Sequence, residues 1–457
     1  MSSTPNRFVS LLEEAAQTHD PGQTRRITIG GEAFPDLLTF LTDQFPGKVD
    51  LLLCDTNTAS VARAIGERLD AASRPFRLVV LEPPHGHDEL VCDDKTIASM
   101  ATFFRASASF NPIAVGAGTI NDIAKMASFK TQRSYIAVPT AASMNGYTST
   151  IAAVLAGGVK RTLPCHQPVG IFADTDVVRS SPARLNRAGF GDLLSKPFSN
   201  VDWLLSHLIR GVPYSSKAAE FLDEPFNELI AQAEGIAQSE PAAVNLLLET
   251  LLLSGYSMAM AGTSAPASGG EHLISHYWDM ERHCQHQELR ALHGTQVGIA
   301  TWISSLLFER LASLDIDRVL THLEVREEVP SVEDIRRQHT GLSAEVCEEV
   351  HTQFKAKQKV GDELRAELRL IRERWPTIQE AIKSSCPTSS SIEATLRAAG
   401  CVTRASEIGV DEGTLVHTIR SCRQIRNRYV ALDLMADLGV LEGWSTDVAK
   451  TIEGLRA

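Results

Sequence analysis

Paired cysteines are missing from this sequence. Its eight (Cys54, Cys92, Cys165, Cys284, Cys347, Cys386, Cys401 and Cys422) are scattered, with no C-x-x-C among them. Reduced thiols in a cytoplasmic enzyme are the expectation from that pattern. A dense basic tract is missing too, and the formal net charge of −12 argues against a nucleic-acid partner. No apolar run approaches the roughly 18 residues that a membrane helix needs. The opening residues, MSSTPNRFVSLLEEAAQ, carry acids and lack the apolar core of a signal peptide. Internal repeats and low-complexity segments are absent. What is there is an ordinary globular composition, 43% hydrophobic and 22% charged over 457 residues, enough for two or three domains with their own cores.

The stretch from Ile113 to Ser149, IAVGAGTINDIAKMASFKTQRSYIAVPTAASMNGYTS, organises the rest. Ile113–Val115 is a short apolar run that stops at Gly116-Ala117-Gly118. Thr119 reads as an N-cap, and Ile120, Ile123, Ala124 and Ala127 follow at helical spacing. Glycines between a strand and a helix N-terminus let backbone N–H groups approach a phosphate, where the helix dipole favours negative charge. Ser134–Val138 reads as a second strand, stopped by Pro139, and Thr140-Ala141-Ala142-Ser143 follows as a loop of small residues, two with hydroxyls. The segment thus reads as a dinucleotide cradle or as an ordinary α/β turn. It lacks the third glycine of the common fingerprint, since Asn121-Asp122 stands there instead.

Upstream, Phe8, Leu11, Leu12 and Ala15 share one face of a helical lead-in, and Arg26–Ile29 is a short strand. Lys48–Cys54 is a buried strand ending at Asp55, and Thr58 starts a helix through Leu69. A carboxylate at such a strand end either accepts from an adenosine ribose or caps the following helix. Arg77–Glu82 is a strand, Pro83–His87 a loop with two solvent-facing histidines, and Thr96–Ser109 a helix. This alternation predicts a parallel sheet covered on both faces, with ligands beyond the carboxyl ends of its strands. Ala152–Gly158 reads as small and flexible, and the basic pair Lys160-Arg161 suits a phosphorylated substrate or a solvated surface. Val169–Ala173 is the last strand, which places a boundary between an α/β domain (1–176) and a helical domain (177–457).

In the second half Asp192 follows Gly189-Phe190-Gly191 and reads at a helix start, where a carboxylate also serves as a cap. Helices are expected over Val201–Ile209, Ala218–Ala237, Pro241–Met260 and Gly361–Trp375, with Cys386–Ser391 a loop. Five histidines (His272, His276, His283, His286 and His293) crowd into Ser268–Gly294. His272 and His276 are four apart and share a helix face, and His283 returns near it. Neutral imidazoles with one carboxylate make an open catalytic metal site; the alternative is a polar helix with satisfied histidines.

The run G-x-G-T-I-N-D-I-x-K (116–125), followed by V-P-T-A-x-S-M-x-G-Y-x-S (138–149), resembles the sn-glycerol-1-phosphate dehydrogenase family. So do E-H-x-x-S-H (271–276), L-H-G-x-Q (292–296) and the segment Ile425–Leu434, read as the family's C-terminal helix. That family belongs to the dehydroquinate synthase-like, iron-containing alcohol dehydrogenase superfamily. The resemblance implies an α/β nucleotide-binding domain and an all-α metal-binding domain, with the active site in the cleft between them. It assigns Asp55, Gly116, Ala117, Gly118, Thr119, Ile120, Asn121, Asp122, Thr140, Ser143 and Ser149 to the cofactor. It makes Asp192, His272 and His293 the ligands of one divalent metal, zinc, nickel or ferrous iron. His276 contacts substrate and relays a proton, Asp192 joins it at the substrate, and His283 and His286 match no ligand; Lys160 is placed at the substrate by the basic pair rather than by the resemblance. One position departs. After Met144 the family usually has Asp facing the substrate hydroxyl, and here it is Asn145, neutral, with an acceptor and two donors.

The expected activity is metal-dependent reduction of dihydroxyacetone phosphate, or a related phosphorylated ketone, to sn-glycerol 1-phosphate or an analogue. NAD(H) is expected over NADP(H), because Asp55 would repel a 2′-phosphate. A homo-oligomer, a dimer, is the expected assembly. Two other readings compete: a dehydroquinate synthase-like lyase that uses NAD transiently, and a silent binding relative, against which the full set Asp192, His272 and His293 argues.

Overall fold

The computed structural model describes residues 10–15, 24–83 and 90–455. Phe8, His85 and His87 fall outside that range. Contacts divide the chain into two compact units, Met1–Leu193 with Glu220–Thr263, and Leu194–Ala219 with Ser264–Ala457. The last strand ends at Ala173, and the first unit also takes helices from farther along the chain, within Glu220–Thr263.

The first unit is built on β1 (Arg26–Ile29), β2 (Val49–Asp55), β3 (Phe76–Leu81), β4 (Phe110–Gly116), β5 (Ile136–Pro139), β6 (Ile151–Ala156), β7 (Val159–Pro164) and β8 (Gly170–Ala173). Six of them form a parallel sheet in the order β1-β8-β5-β4-β2-β3, while β6 and β7 pair as an antiparallel hairpin. Strand β2 shows why the sheet is covered. Leu51 and Leu53 point one way and Leu52 and Cys54 the other, and all four are fully buried. Helices α1 (Ala33–Gln44) and α2 (Ala59–Ala71) set Leu37, Leu41, Ile65 and Leu69 against Leu52, Ile113, Val115, Ile136 and Phe172. Each fully enclosed leucine contributes about 2 kcal/mol. From β2 the chain steps outward to β3, then crosses back through α3 (Asp94–Arg105) to β4 and on through α4 (Gly118–Lys130) to β5. The order therefore reverses between β2 and β4, and the crevice at such a reversal is where open α/β sheets bind ligands. Asp55 and Gly116 are the last residues of those two strands.

Several local expectations are corrected. Helix α4 begins at Gly118 with Ala117 as its cap, so Thr119 sits inside the first turn. Helix α3 stops at Arg105, and Ser109 lies just before β4. The supposedly flexible Ala152–Gly158 is β6 and its turn, where Gly157 and Gly158 both take positive φ (58° and 80°), as a tight hairpin of primed type requires. After α5 (Thr175–Ser180), Asp192 lies in the last turn of α6 (Ala183–Leu194), not at a helix start. Two glycines inside a helix cost about 1 kcal/mol each relative to alanine, and they misled the reading.

The second unit, whose described regular elements are all helices, opens with α7 (Lys196–Arg210). The expected single helix Ala218–Ala237 is three: α8 (Ser216–Glu220), then α9 (Asp223–Ala231) and α10 (Ala233–Ala237), the last two in the first unit. Pro225 accounts for the first break, since its ring collides with the carbonyl four residues back and is accepted only in a first turn. Helix α11 (Pro241–Ala261), in the first unit, is long and apolar enough to cross a membrane, yet 83% of its apolar window is buried inside the protein. It is a core helix, more continuously apolar than the sequence suggested. Then come α12 (Gly270–Cys284) and α13 (His293–Ala312). The helix from Gly361 runs on to Ser385 through Pro376, because Trp375, Ile378 and Ile382 continue the buried stripe of Leu364, Leu368 and Ile371. The next helix starts at Ser389, capped by Thr388, and shortens the Cys386–Ser391 loop. The last family-like segment is helical only from Ala431, after a 3₁₀ turn at Cys422–Ile425.

Candidate active site

In the first unit the proposed cofactor residues gather at the carboxyl edge of β2, β4 and β5. Gly116 ends β4, and the first turn of α4 brings the N–H groups of Gly118, Thr119 and Ile120, which have no partner within a helix, to that edge. Asp55 accepts through Oδ1 from both the N–H and the hydroxyl of Thr58, each at 2.8 Å, which closes the turn between β2 and α2; the cap position of α2 itself is Thr58. Asn121 and Ser149 face inward. Asn121 donates to Asp122 and accepts from Tyr135, and the Ser149 hydroxyl donates to carbonyls at 146 and 151. Asp122 is buried, which pushes its carboxyl up, against the pull of Lys125 and of Lys160 on β7.

Lys125 was not singled out from the sequence beyond its place in the motif. Its ammonium is fully buried and donates to the carbonyls of Gly146 (2.5 Å) and Ile151 (3.1 Å), gathering the 140–151 loop around one cation. Above it, Thr140 donates its N–H to Gly116, Ala142 to the Asn186 side chain, and the Thr148 hydroxyl to Leu252. The loop then lies flat on two helices because both carry glycine at the contact. A Cβ on Gly189 of α6 would overlap the Ala142 carbonyl oxygen and stand 2.8 Å from its carbon. A Cβ on Gly255 of α11 would overlap Thr148 Oγ1 and stand 2.8 Å from the Asn145 carbonyl oxygen. This seating places the Asn145 N–H 3.3 Å from Asp192 Oδ2, so a proposed substrate residue and a proposed metal ligand meet directly. Ser143 bonds the buried Tyr147 hydroxyl, whose pKa is raised by burial, and Tyr147 donates to Ala141.

In the second unit α12 starts at Gly270, so His272 lies in its first turn and His276 one turn later, both buried. His293 opens α13. Ring centroids are 5.2 Å apart for His272–His293, 5.5 Å for His276–His293 and 6.0 Å for His272–His276. One ring nitrogen of His272 and one of His293 lie within 4.8 Å of each other, a spacing that a shared cation accommodates. His286 is exposed and His283 half-buried near the far end of α12, apart from the three. Two buried acids that have no role in the sequence reading sit at the N-terminus of α12, where the helix dipole favours negative charge. Glu271 accepts from Gly269 N–H (2.7 Å) and stands 2.9 Å from His272 Nδ1. Asp202 of α7 accepts from the N–H groups of Gly270 (2.7 Å) and Ala431 (2.6 Å). Burial, and then the charge of Glu271, push Asp202 up to about 8. Arg428, half-buried, brings compensating charge to both acids. The sequence signal for Glu271 was its place in E-H-x-x-S-H, directly before His272.

Residues 28–182 match the iron-containing alcohol dehydrogenase family. A glycerol-1-phosphate dehydrogenase (NAD(P)+) of Bacillus velezensis is 33% identical over 313 residues, which are 68% of this chain and 78% of that protein. The chain belongs to the glycerol-1-phosphate dehydrogenase family. A second member of that name, from Geobacillus stearothermophilus, aligns with 97% of the chain and 100% of its own length at 27% identity. The fold is shared more widely. A probable glycerol dehydrogenase from Sinorhizobium meliloti superposes with a TM-score of 0.58 over 94% of this chain and 98% of its own, at 17% identity. As a member of the glycerol-1-phosphate dehydrogenase family the protein is an enzyme, and its fold is the dehydroquinate synthase-like one that the resemblance implied.

Proposed function

We propose that this family member reduces dihydroxyacetone phosphate, or a closely related phosphorylated ketone, to sn-glycerol 1-phosphate or its analogue. It uses NADH in preference to NADPH and one divalent cation held by Asp192, His272 and His293. The observation that carries the reading is the histidine group, with buried His272 and half-buried His293 offering ring nitrogens within 4.8 Å of each other in a chain of this family. Two imidazoles and a carboxylate suit zinc, nickel or ferrous iron. When bound, the cation supplies Lewis-acid polarisation of a carbonyl and the nicotinamide supplies hydride. The chain does the rest. First-turn N–H groups of α4 bind pyrophosphate, Asp55 accepts from the ribose, and Thr140 and Ser143 border the same edge. Lys160 holds the substrate phosphate, Asn145 its hydroxyl, and His276 passes a proton to the oxygen that gains charge. The protein works as a homodimer in the cytoplasm.

The test is a panel of ketones assayed with NADH and NADPH after reconstitution with each metal. Net NADH oxidation with dihydroxyacetone phosphate, giving the 1-phosphate enantiomer, is the expected result. A cofactor that is recycled without net consumption would point instead to lyase chemistry. A tenfold preference for NADPH would remove Asp55 from its role.

Asn145 gives a sharper expectation. A hydrogen bond to a charged group is worth roughly 1.5–3 kcal/mol against about 1 for a neutral one. If Asn145 accepts from the hydroxyl of dihydroxyacetone phosphate, Asn145→Asp should raise kcat/KM for it by about a kcal/mol, a few-fold. A substrate with an acceptor or anion at that end would instead suffer from the new carboxylate. Unchanged or lower efficiency on dihydroxyacetone phosphate argues that sn-glycerol 1-phosphate is not the product.

A further inference from the structure

We propose that Glu271 and the chain Ser275–Gln296–Asp279 are positioning groups that set the tautomers of His272 and His293, so that both present Nε2 to the cation. The inference rests on the metal reading above and assigns roles to the Glu, Ser and Gln of the two histidine motifs. Glu271, Ser275 and Asp279 recur every four residues along α12, a row beside the His272–His276 row, and all three are buried. At His272 the direction is plain. A carboxylate oxygen that already accepts from Gly269 N–H is 2.9 Å from Nδ1, so Nδ1 carries the hydrogen and Nε2 the lone pair.

At His293 the direction is transmitted through three groups. The Gln296 Nε2 donates to Asp279 Oδ1 (3.0 Å) and to the Ala291 carbonyl (2.9 Å). Both partners are acceptors, so the amide cannot be turned over, and its oxygen must face Ser275. The Ser275 hydroxyl donates to that oxygen at 3.3 Å, which leaves its own lone pairs for His293 Nδ1 at 3.1 Å. Nδ1 of His293 therefore carries the hydrogen as well. Ligating histidines are commonly oriented by such partners, and losing one costs roughly 10–100-fold in metal affinity.

The test is Co2+ affinity of the full-length protein, measured by competition with a chromogenic chelator, for wild type, Glu271→Gln, Ser275→Ala, Gln296→Met and their double variants. Each single change should weaken Co2+ binding by roughly 10–100-fold. Ser275→Ala and Gln296→Met belong to one chain, so together they should cost little more than either alone. Glu271→Gln acts on the other histidine and should add to them. Folded variants that bind Co2+ as wild type does overturn this inference while leaving the metal reading intact, and a wild type that takes up no divalent metal overturns both. A reading independent of any variant comes from the metal-free wild type labelled with 15N at histidine. Nδ1–H tautomers at His272 and His293 are expected, and an Nε2–H signal from either refutes the assignment.

Discussion

Asp192→Ala, His272→Ala and His293→Ala should each strip the divalent metal and lower kcat/KM by about three orders of magnitude. The size follows from what the cation supplies: several kcal/mol of charge stabilisation at a carbonyl oxygen, with each 1.36 kcal/mol worth a factor of ten. Two ligands do not hold what three hold, so metal content and activity should fall together. The three replacements differ in side effects. Asp192 is buried in the last turn of α6 and accepts from Asn145 N–H, so its loss also loosens the 140–149 loop. His272 loses its bond to Glu271, which leaves a buried carboxylate short of one partner. His293 at the first turn of α13 is the least enclosed and should disturb the fold least. Metal content by mass spectrometry, kcat/KM, and thermal unfolding of the metal-free forms separate these effects. A variant with one metal per chain at unchanged affinity takes its residue out of the ligand set.

Gly189→Ala and Gly255→Ala, single methyl groups, are expected to be the most damaging small changes in the first unit. At Gly189 the colliding atoms are the Ala142 carbonyl carbon and oxygen, which belong to the backbone and cannot rotate away. Ala142 is also tied by its N–H to the Asn186 side chain on the same helix, so the loop is held against the collision from both sides. At Gly255 the first neighbour is the Thr148 hydroxyl, committed to the Leu252 carbonyl, with the Asn145 carbonyl oxygen at 2.8 Å and the Ser149 N–H at 3.0 Å behind it. Forcing an extra carbon into a packed contact of this kind typically costs 1–3 kcal/mol and occasionally more. Gly189→Ala should stand at or above the top of that range. Because the displaced loop carries Asn145, activity should fall with stability. Gly443→Ala is the control: that glycine lies in the helix Leu441–Ile452 with open space around its Cβ position, and alanine there should stabilise by up to about 1 kcal/mol. Urea denaturation and kcat/KM of the three variants decide. Equal behaviour at positions 189, 255 and 443 would show that the loop is not seated as described.

The sequence by itself determined the parallel sheet, its strands to within a few residues, the strand-end position of Asp55 and Gly116, and the histidine-bearing helix. These are consequences of local rules. Apolar runs of four to seven residues ended by glycine, proline or acid leave a buried strand few alternatives, and histidines spaced by four fall on one face of any helix. The motifs around residues 116–149 and 271–296 carried the family as well. What only the tertiary structure decided depends on atoms far apart in the chain. Gly189 and Gly191 looked like the approach to a helix, and they lie inside one. Glycine is needed at 189 because a loop some forty-seven residues earlier presses its backbone there. Gly157-Gly158 looked flexible until two positive φ angles made it a hairpin turn. Lys125, Asp202, Glu271 and Gln296 are of residue types that mostly lie at the surface, yet each is buried. A buried charge or amide is tolerated only where partners surround it, and those partners come from the 146–151 loop, from Ala431, from the start of α12 and from Asp279. Period and propensity report which face of an element is apolar; which polar groups meet inside is set by how the elements pack.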